Sequence, residues 1–101
     1  MQKIIFTGNL SRDVETRETA NGKTVANFSV AVKRPYSKDN TDFFDVVAFD
    51  KLGENCARYL SKGSKVLVDG YVSTRTYEKE GVKRKVFEVI CDNVEFLSRN
   101  N

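Results

Sequence analysis

A chain of 101 residues suffices for one modest core and is too short for two, so a single domain is expected and a second catalytic domain is excluded. Seventeen Lys and Arg against fourteen Asp and Glu leave a net charge of +3, which leans toward a polyanionic partner and makes the placement of charge more informative than its sum. The chain has no histidine and no apolar run near the roughly 20 residues of a membrane span, and MQKIIFTGNL runs straight into a strand pattern, so a soluble, cytoplasmic protein without metal or cofactor is expected.

Residues 3–10 alternate, with Ile4, Phe6, Gly8 and Leu10 on one side and Ile5, Thr7 and Asn9 on the other, which predicts a first strand. A segment over 14–19 runs into Asn21-Gly22, a pair suited to positive φ in a tight hairpin turn, and then into KTVANFSVAVKR, where Ala26, Phe28, Val30 and Val32 form the core-facing set. Pro35 and the polar stretch YSKDNTD predict a loop. The next strand spans Phe43 to Phe49, and a helix follows over about 51–61, with Asp50 as N-cap, Leu52, Cys56, Ala57 and Leu60 as its apolar stripe and Gly63 as its end. Alternation resumes with Val66, Val68 and Val72, a turn falls near Gly81, and KRKVFEVIC and NVEFL close the chain. Cys56 and Cys91 occupy apolar positions, as buried free thiols do. About five strands with one helix between the third and fourth match the order of an all-β, five-stranded OB-fold barrel with a long hairpin between its fourth and fifth strands, although composition alone does not separate this from another small β-rich fold.

Within DFFDVVAF, Phe43 and Phe49 lie an even number of residues apart and project from one face of their strand. Tyr77 stands in STRTYEKEGVKRK among Arg75, Lys79, Lys83, Arg84 and Lys85, with only Glu78 and Glu80 opposing them. Planar rings flanked by cations suit a single nucleic-acid strand, whose unpaired bases stack while its phosphates are neutralised. A strand aromatic taken alone more often fills a core. Tyr77, between Thr76 and Glu78 beside a basic hairpin, fits that reading least.

Four stretches in order, IIFTGNLSRD, ANGKTVANFSVAV, DFFDVVAFDKLGENCARYLSKGSKVLVDGYVSTRTY and FEVICDNVEFL, resemble the bacterial and phage single-stranded DNA-binding proteins over nearly the whole chain. The resemblance implies stacking on Tyr36, Phe43, Phe49 and Tyr77, and phosphate neutralisation by Lys33, Arg34, Lys51, Lys62 and Arg75, with Lys83, Arg84 and Lys85 further along the hairpin. Where that family often has tryptophan this chain has Tyr36, Phe43 and Tyr77, which offer smaller π-faces, and Asp45 shares the face of Phe43 and Phe49, where a cation would serve phosphate better.

The resemblance also implies a homo-oligomer, a tetramer built as a dimer of dimers, with Lys65 at the contact between dimers and Glu95 as its charge partner. Phe44 points opposite to Phe43, so a strand with a ring on each face needs cover outside a small barrel's interior, which places Phe44 at the oligomer interface. Bacterial members usually continue into a flexible segment with an acidic tip that recruits repair and replication enzymes, whereas this sequence ends in SRNN, so no such recruitment is expected.

The function so implied is non-catalytic, sequence-tolerant binding and protection of single-stranded DNA in replication, recombination or repair. A primosomal replication protein of the same fold, bridging helicase-loading partners, is the alternative. A small nuclease would draw on Asp42, Asp45, Asp50 and Glu54, but these spread over a strand, a cap and a helix instead of converging on one site.

Overall fold

The computed structural model describes residues 1–97, the side chain of residue 38 excepted. SRNN, on which the expectation about the tail rests, lies outside the described residues. Strands β1 (Ile4–Leu10), β2 (Glu15–Glu18), β3 (Thr24–Arg34) and β4 (Ser37–Phe49) precede helix α1 (Asp50–Tyr59), and β5 (Lys65–Lys79) and β6 (Val82–Phe96) follow it. The sheet order is β1-β5-β6-β4-β3-β2, and a further β1–β3 pairing closes the barrel. Because β1 meets β3 at Asn9↔Ala31 and β2 meets it at Glu15↔Asn27, the two are halves of one bent first strand, and the barrel is five-stranded with its helix between the third and fourth strands. This is the OB-fold arrangement.

The core follows from alternation. Phe28, Val30, Val46, Val66 and Val68 are fully buried, and Leu10, Ala26, Ala48, Cys56, Val89, Cys91 and Val94 pack with them. Burial without an ionic partner pushes the Cys56 thiol up to about 11 and Cys91 to about 12. Gln2 extends the edge of β1: its amide nitrogen donates to the Val72 carbonyl at 2.6 Å, and its amide oxygen accepts from the Val72 N–H at 3.1 Å.

The closure has two tight points. A bulge between Asp69 and Gly70 leaves Asp92 as the extra residue of β6, and a Cβ on Gly70 would run into the Ile90 carbonyl and sit 2.8 Å from the Cys91 Cα. On β4's other side the barrel closes on β6 through a parallel seam of two residue pairs, Val46↔Val89 and Val47↔Ile90.

Several local expectations are corrected. The polar stretch after Pro35 is not a loop: β4 begins at Ser37, and β3 and β4 pair through Lys33↔Thr41 with a register shift between Lys33 and Arg34. A ladder satisfies backbone groups whatever the side chains, so polarity alone misleads there. Of Asn21-Gly22 only Gly22 is left-handed (φ 79°), because the hairpin reverses through a wider loop in which the Gly22 N–H donates to the Thr19 carbonyl. Asp50 makes no capping hydrogen bond; it takes φ 55° and turns the chain sharply from β4 into α1. Helix α1 buries Gly53 in place of Ala57, which is exposed, because a Cβ at residue 53 would come 2.6 Å from the Ala48 carbonyl oxygen, so glycine allows the close approach. The helix stops at Tyr59 with Leu60 extended, before Gly63, whose φ of 93° instead shapes the turn into β5.

Candidate nucleic-acid interface

Strand β4 divides its rings between two faces. Phe44 points inward and stacks on Phe6, with ring centroids 4.7 Å apart and planes 25° apart. It is thus partly covered within its own chain, and the ring that remains open is Phe43, which is 64% exposed. Phe49 and Asp45 share that outer face. Across the ladder Phe43 faces Ala31 and Asp45 faces Ser29, and these small partners leave the flank of the ring uncovered.

Tyr36 sits on the turn between β3 and β4 and is fully exposed. The base of that turn is fixed by a fork, in which Arg34 Nε donates to Asp42 Oδ2 at 3.0 Å and Nη2 donates to Oδ1 at 3.0 Å. The guanidinium holds the Asp42 carboxyl below the usual carboxylate range, chiefly through that hydrogen bond, and the carboxylate in turn raises Arg34. Arg34, expected on phosphate, is therefore engaged by a carboxylate of the neighbouring strand. Arg75 is engaged likewise, its Nε donating to Glu88 Oε1 at 3.1 Å.

Beyond the barrel, β5 and β6 continue pairing only with each other to Lys79↔Val82, and form an arm. Its tip reverses at Glu80 (φ 53°) and Gly81 (φ 78°), the two left-handed residues of a type I′ turn. Tyr77 pairs with Arg84 in the register, and the two line a shallow pocket with Lys79 and Val82. Lys83, Arg84 and Lys85 are all exposed along the arm.

One ring escapes sequence reasoning. Phe87, in KVFEV, is not among the rings singled out from the sequence, and it is 62% exposed because β6 has left the barrel by that point; its one sequence signal is its place two residues after Lys85 of the basic hairpin. The Lys85 ammonium lies 5.7 Å from the centre of its ring. Phe43 and Phe87 line one apolar cleft of about 230 Å³, whose wall includes Asp45 and Glu88. The other side of that wall is a polar groove of about 430 Å³ holding Arg75 together with Arg12 and Arg17, two cations that the sequence pattern did not single out.

The remaining cations are more dispersed. Lys33 and Lys65 line a separate groove with Thr41. Lys51 is exposed on α1, and Lys62 is exposed in the following connection, where its backbone N–H donates to Asp13 Oδ1 at 2.7 Å. Glu95 is also exposed; its register partner on β5 is Leu67, two residues from Lys65. Among the described residues, no three His, Cys, Asp or Glu gather as metal ligands.

A five-stranded OB barrel, with rings displayed on one wall and on a cation-rich arm, defines an oligonucleotide-binding class of protein by its architecture. The chain belongs to the single-strand binding protein family, whose model matches residues 1–97. It is 42% identical to single-stranded DNA-binding protein 1 of Staphylococcus aureus strain Mu50, over all of this chain and 68% of that protein. It is 43% identical to the single-stranded DNA-binding protein of Halalkalibacterium halodurans, over 96% of this chain and 61% of that one. A further relative, single-stranded DNA-binding protein 2 of Staphylococcus aureus strain COL, is 42% identical over all of this chain and 76% of its own length.

Proposed function

We propose that this protein binds single-stranded DNA without catalysis, stacking bases on Tyr36, Phe43, Phe49 and Tyr77 and neutralising phosphates with Lys33, Lys51, Lys62 and the arm cations Lys83, Arg84 and Lys85. The observation that carries this reading is that Phe43, an apolar ring on the barrel wall, stays 64% exposed while its neighbour Phe44 packs on the core. Membership of the single-strand binding protein family and the names of the relatives support DNA as the partner. Arg34 and Arg75 keep guanidinium N–H donors for phosphate beyond those given to Asp42 and Glu88, with their charge offset by those carboxylates.

The role that fits is coating and protecting exposed strands during replication, recombination or repair, in the cytoplasm. Assembly into a homo-oligomer, most simply a tetramer, fits the further apolar groups left open, among them Ile5, Tyr59, Tyr71 and Phe96, with Lys65 and Glu95 near the contact. No helix among the described residues is long and apolar enough to cross a membrane. Titration with a labelled single strand and with its duplex tests the binding: the single strand is expected to bind far more tightly, because only its bases are free to stack. Equal affinity for the two forms rejects the reading. Sedimentation of the same samples tests assembly, and a monomeric mass at micromolar concentration rejects it.

A further inference from the structure

Single-strand binding by stacking leaves Asp45 unexplained, since a carboxylate beside Phe43 repels phosphate. Glu88 raises the same difficulty on β6, and both acids form the wall between the Phe43–Phe87 cleft and the arginine-lined groove. We propose that this cleft receives one nucleobase and selects for an exocyclic amine, favouring cytosine over uracil or thymine through Asp45 and Glu88. This rests on the single-strand reading above and deepens it to base preference.

The cleft has the form such a site requires. At about 230 Å³ it is smaller than the roughly 300 Å³ at which drug-sized pockets begin, which suits one planar group. Its apolar surfaces are the exposed rings of Phe43 and Phe87, with Val72 and Val89 also lining it. Two largely exposed rings on separate strands of one cleft offer a base more π-surface than either alone.

The wall dictates what the edge of the base must present. An ionised carboxylate only accepts hydrogen bonds. Cytosine offers its N4 amine, the group that Asp and Glu accept from in base recognition, whereas uracil places a carbonyl oxygen at that position and keeps a single N–H flanked by two carbonyls. Arg75 occupies Glu88 Oε1 and leaves Oε2 for the base, and Glu88 is only 22% exposed, so a hydrogen bond to it competes less with water. Phosphates, repelled by the two acids, have Arg17 across the wall, where Arg12 and Arg75 are paired with Glu15 and Glu88, and Lys85 beside Phe87.

The test compares oligo(dC) with oligo(dU) of equal length, which differ at position 4 and at N3 and share the absence of a methyl group, by fluorescence anisotropy at mildly alkaline pH where cytosine stays unprotonated. The unmodified protein is expected to bind oligo(dC) about fivefold more tightly, the low end for one specific base contact. The double variant Asp45→Asn/Glu88→Gln, whose amides both donate and accept, is expected to bring that ratio close to one while tightening binding to both. Phe87→Ala, at an exposed position, is expected to weaken both and to shrink the ratio. Equal, tight binding of the two oligomers by the unmodified protein overturns the base preference and leaves single-strand binding standing, as does a ratio unchanged in the double variant. Failure to bind either oligomer overturns single-strand binding itself.

Discussion

The barrel wall around β4 and the projecting β5–β6 arm are built from the same kind of ladder and use it in opposite ways. In the wall every second side chain faces the core, with Phe44, Val46 and Ala48 inside, and on the other face Phe43, Asp45 and Phe49 stay open while Val47 is buried. In the arm, from Arg75 to Lys85, no residue is buried and the strands are covered by nothing but each other. Alternation is thus a constraint in the wall and only a geometry in the arm. The wall fixes where a ring stands, and the arm tolerates change in charge and sequence.

The largest effect expected from this contrast is at Phe44, which should be intolerant of truncation although its neighbour is not. Phe44→Ala is expected to lower stability by about 3 kcal/mol, the lower end for loss of a packed aromatic, measured by urea unfolding. A loss below about 1 kcal/mol would make the two faces of β4 equivalent and break the comparison. Phe43→Ala should instead leave the unfolding midpoint nearly unchanged and weaken single-strand binding by about 1–3 kcal/mol, the scale of one base–ring stack.

The core side of the wall also carries a pH signature. Both thiols titrate near 9.0 in the unfolded chain and at about 11 and about 12 when buried, so the folded state holds protons that the unfolded state has lost. Stability is therefore full below pH 9 and falls as pH rises toward 11 to 12, by up to about 1.4 kcal/mol per pH unit for each thiol. Urea midpoints measured on either side of pH 9 check the slope, and alkylation at about pH 8 should be slow until urea opens the barrel.

Changes in the arm should act on binding and hardly on stability. Replacing Lys83, Arg84 and Lys85 together by alanine is expected to flatten the dependence of log affinity on log salt by about 0.7 for each lost phosphate contact, with the unfolding midpoint unmoved. An unchanged slope would remove the arm from the phosphate path. The smallest effect lies at its tip, where Glu80 is a left-handed residue without the side chain for it. Glu80→Asn should gain about 0.5 kcal/mol in thermal unfolding, because asparagine tolerates that conformation better.

Legibility in the sequence follows the same division. The wall was readable because burial imposes a period: Ile4, Phe6 and Leu10, or Ala26, Phe28 and Val30, have no other reason to alternate. The order of strands and helix, and with it the OB barrel, came from those periods and from the family resemblance. Phe87 was not singled out because apolar alternation persists beyond the point where β6 leaves the barrel, and local pattern carries no record of where a sheet runs out of neighbours. The ion pairs of Arg34 with Asp42 and Arg75 with Glu88 were hidden for another reason, since each joins different strands and depends on register and bulges that single-strand patterns do not specify.

The two-pair seam between β4 and β6 bears on how the protein opens. Each flank of it is a long antiparallel hairpin whose strands are close in the chain, whereas the seam joins strands separated by the helix and all of β5. Short and non-local, as the two-pair β1–β3 contact also is, it is a line along which the barrel can part, and a partial opening there would separate the β3–β4 hairpin from the β5–β6 hairpin. Phe43 and Asp45 stand on one side of that line and Phe87 and Glu88 on the other, so whatever occupies the cleft spans it. A bound strand then acts as a fastener for the barrel as well as its cargo, and coated DNA would protect its own coat against unfolding.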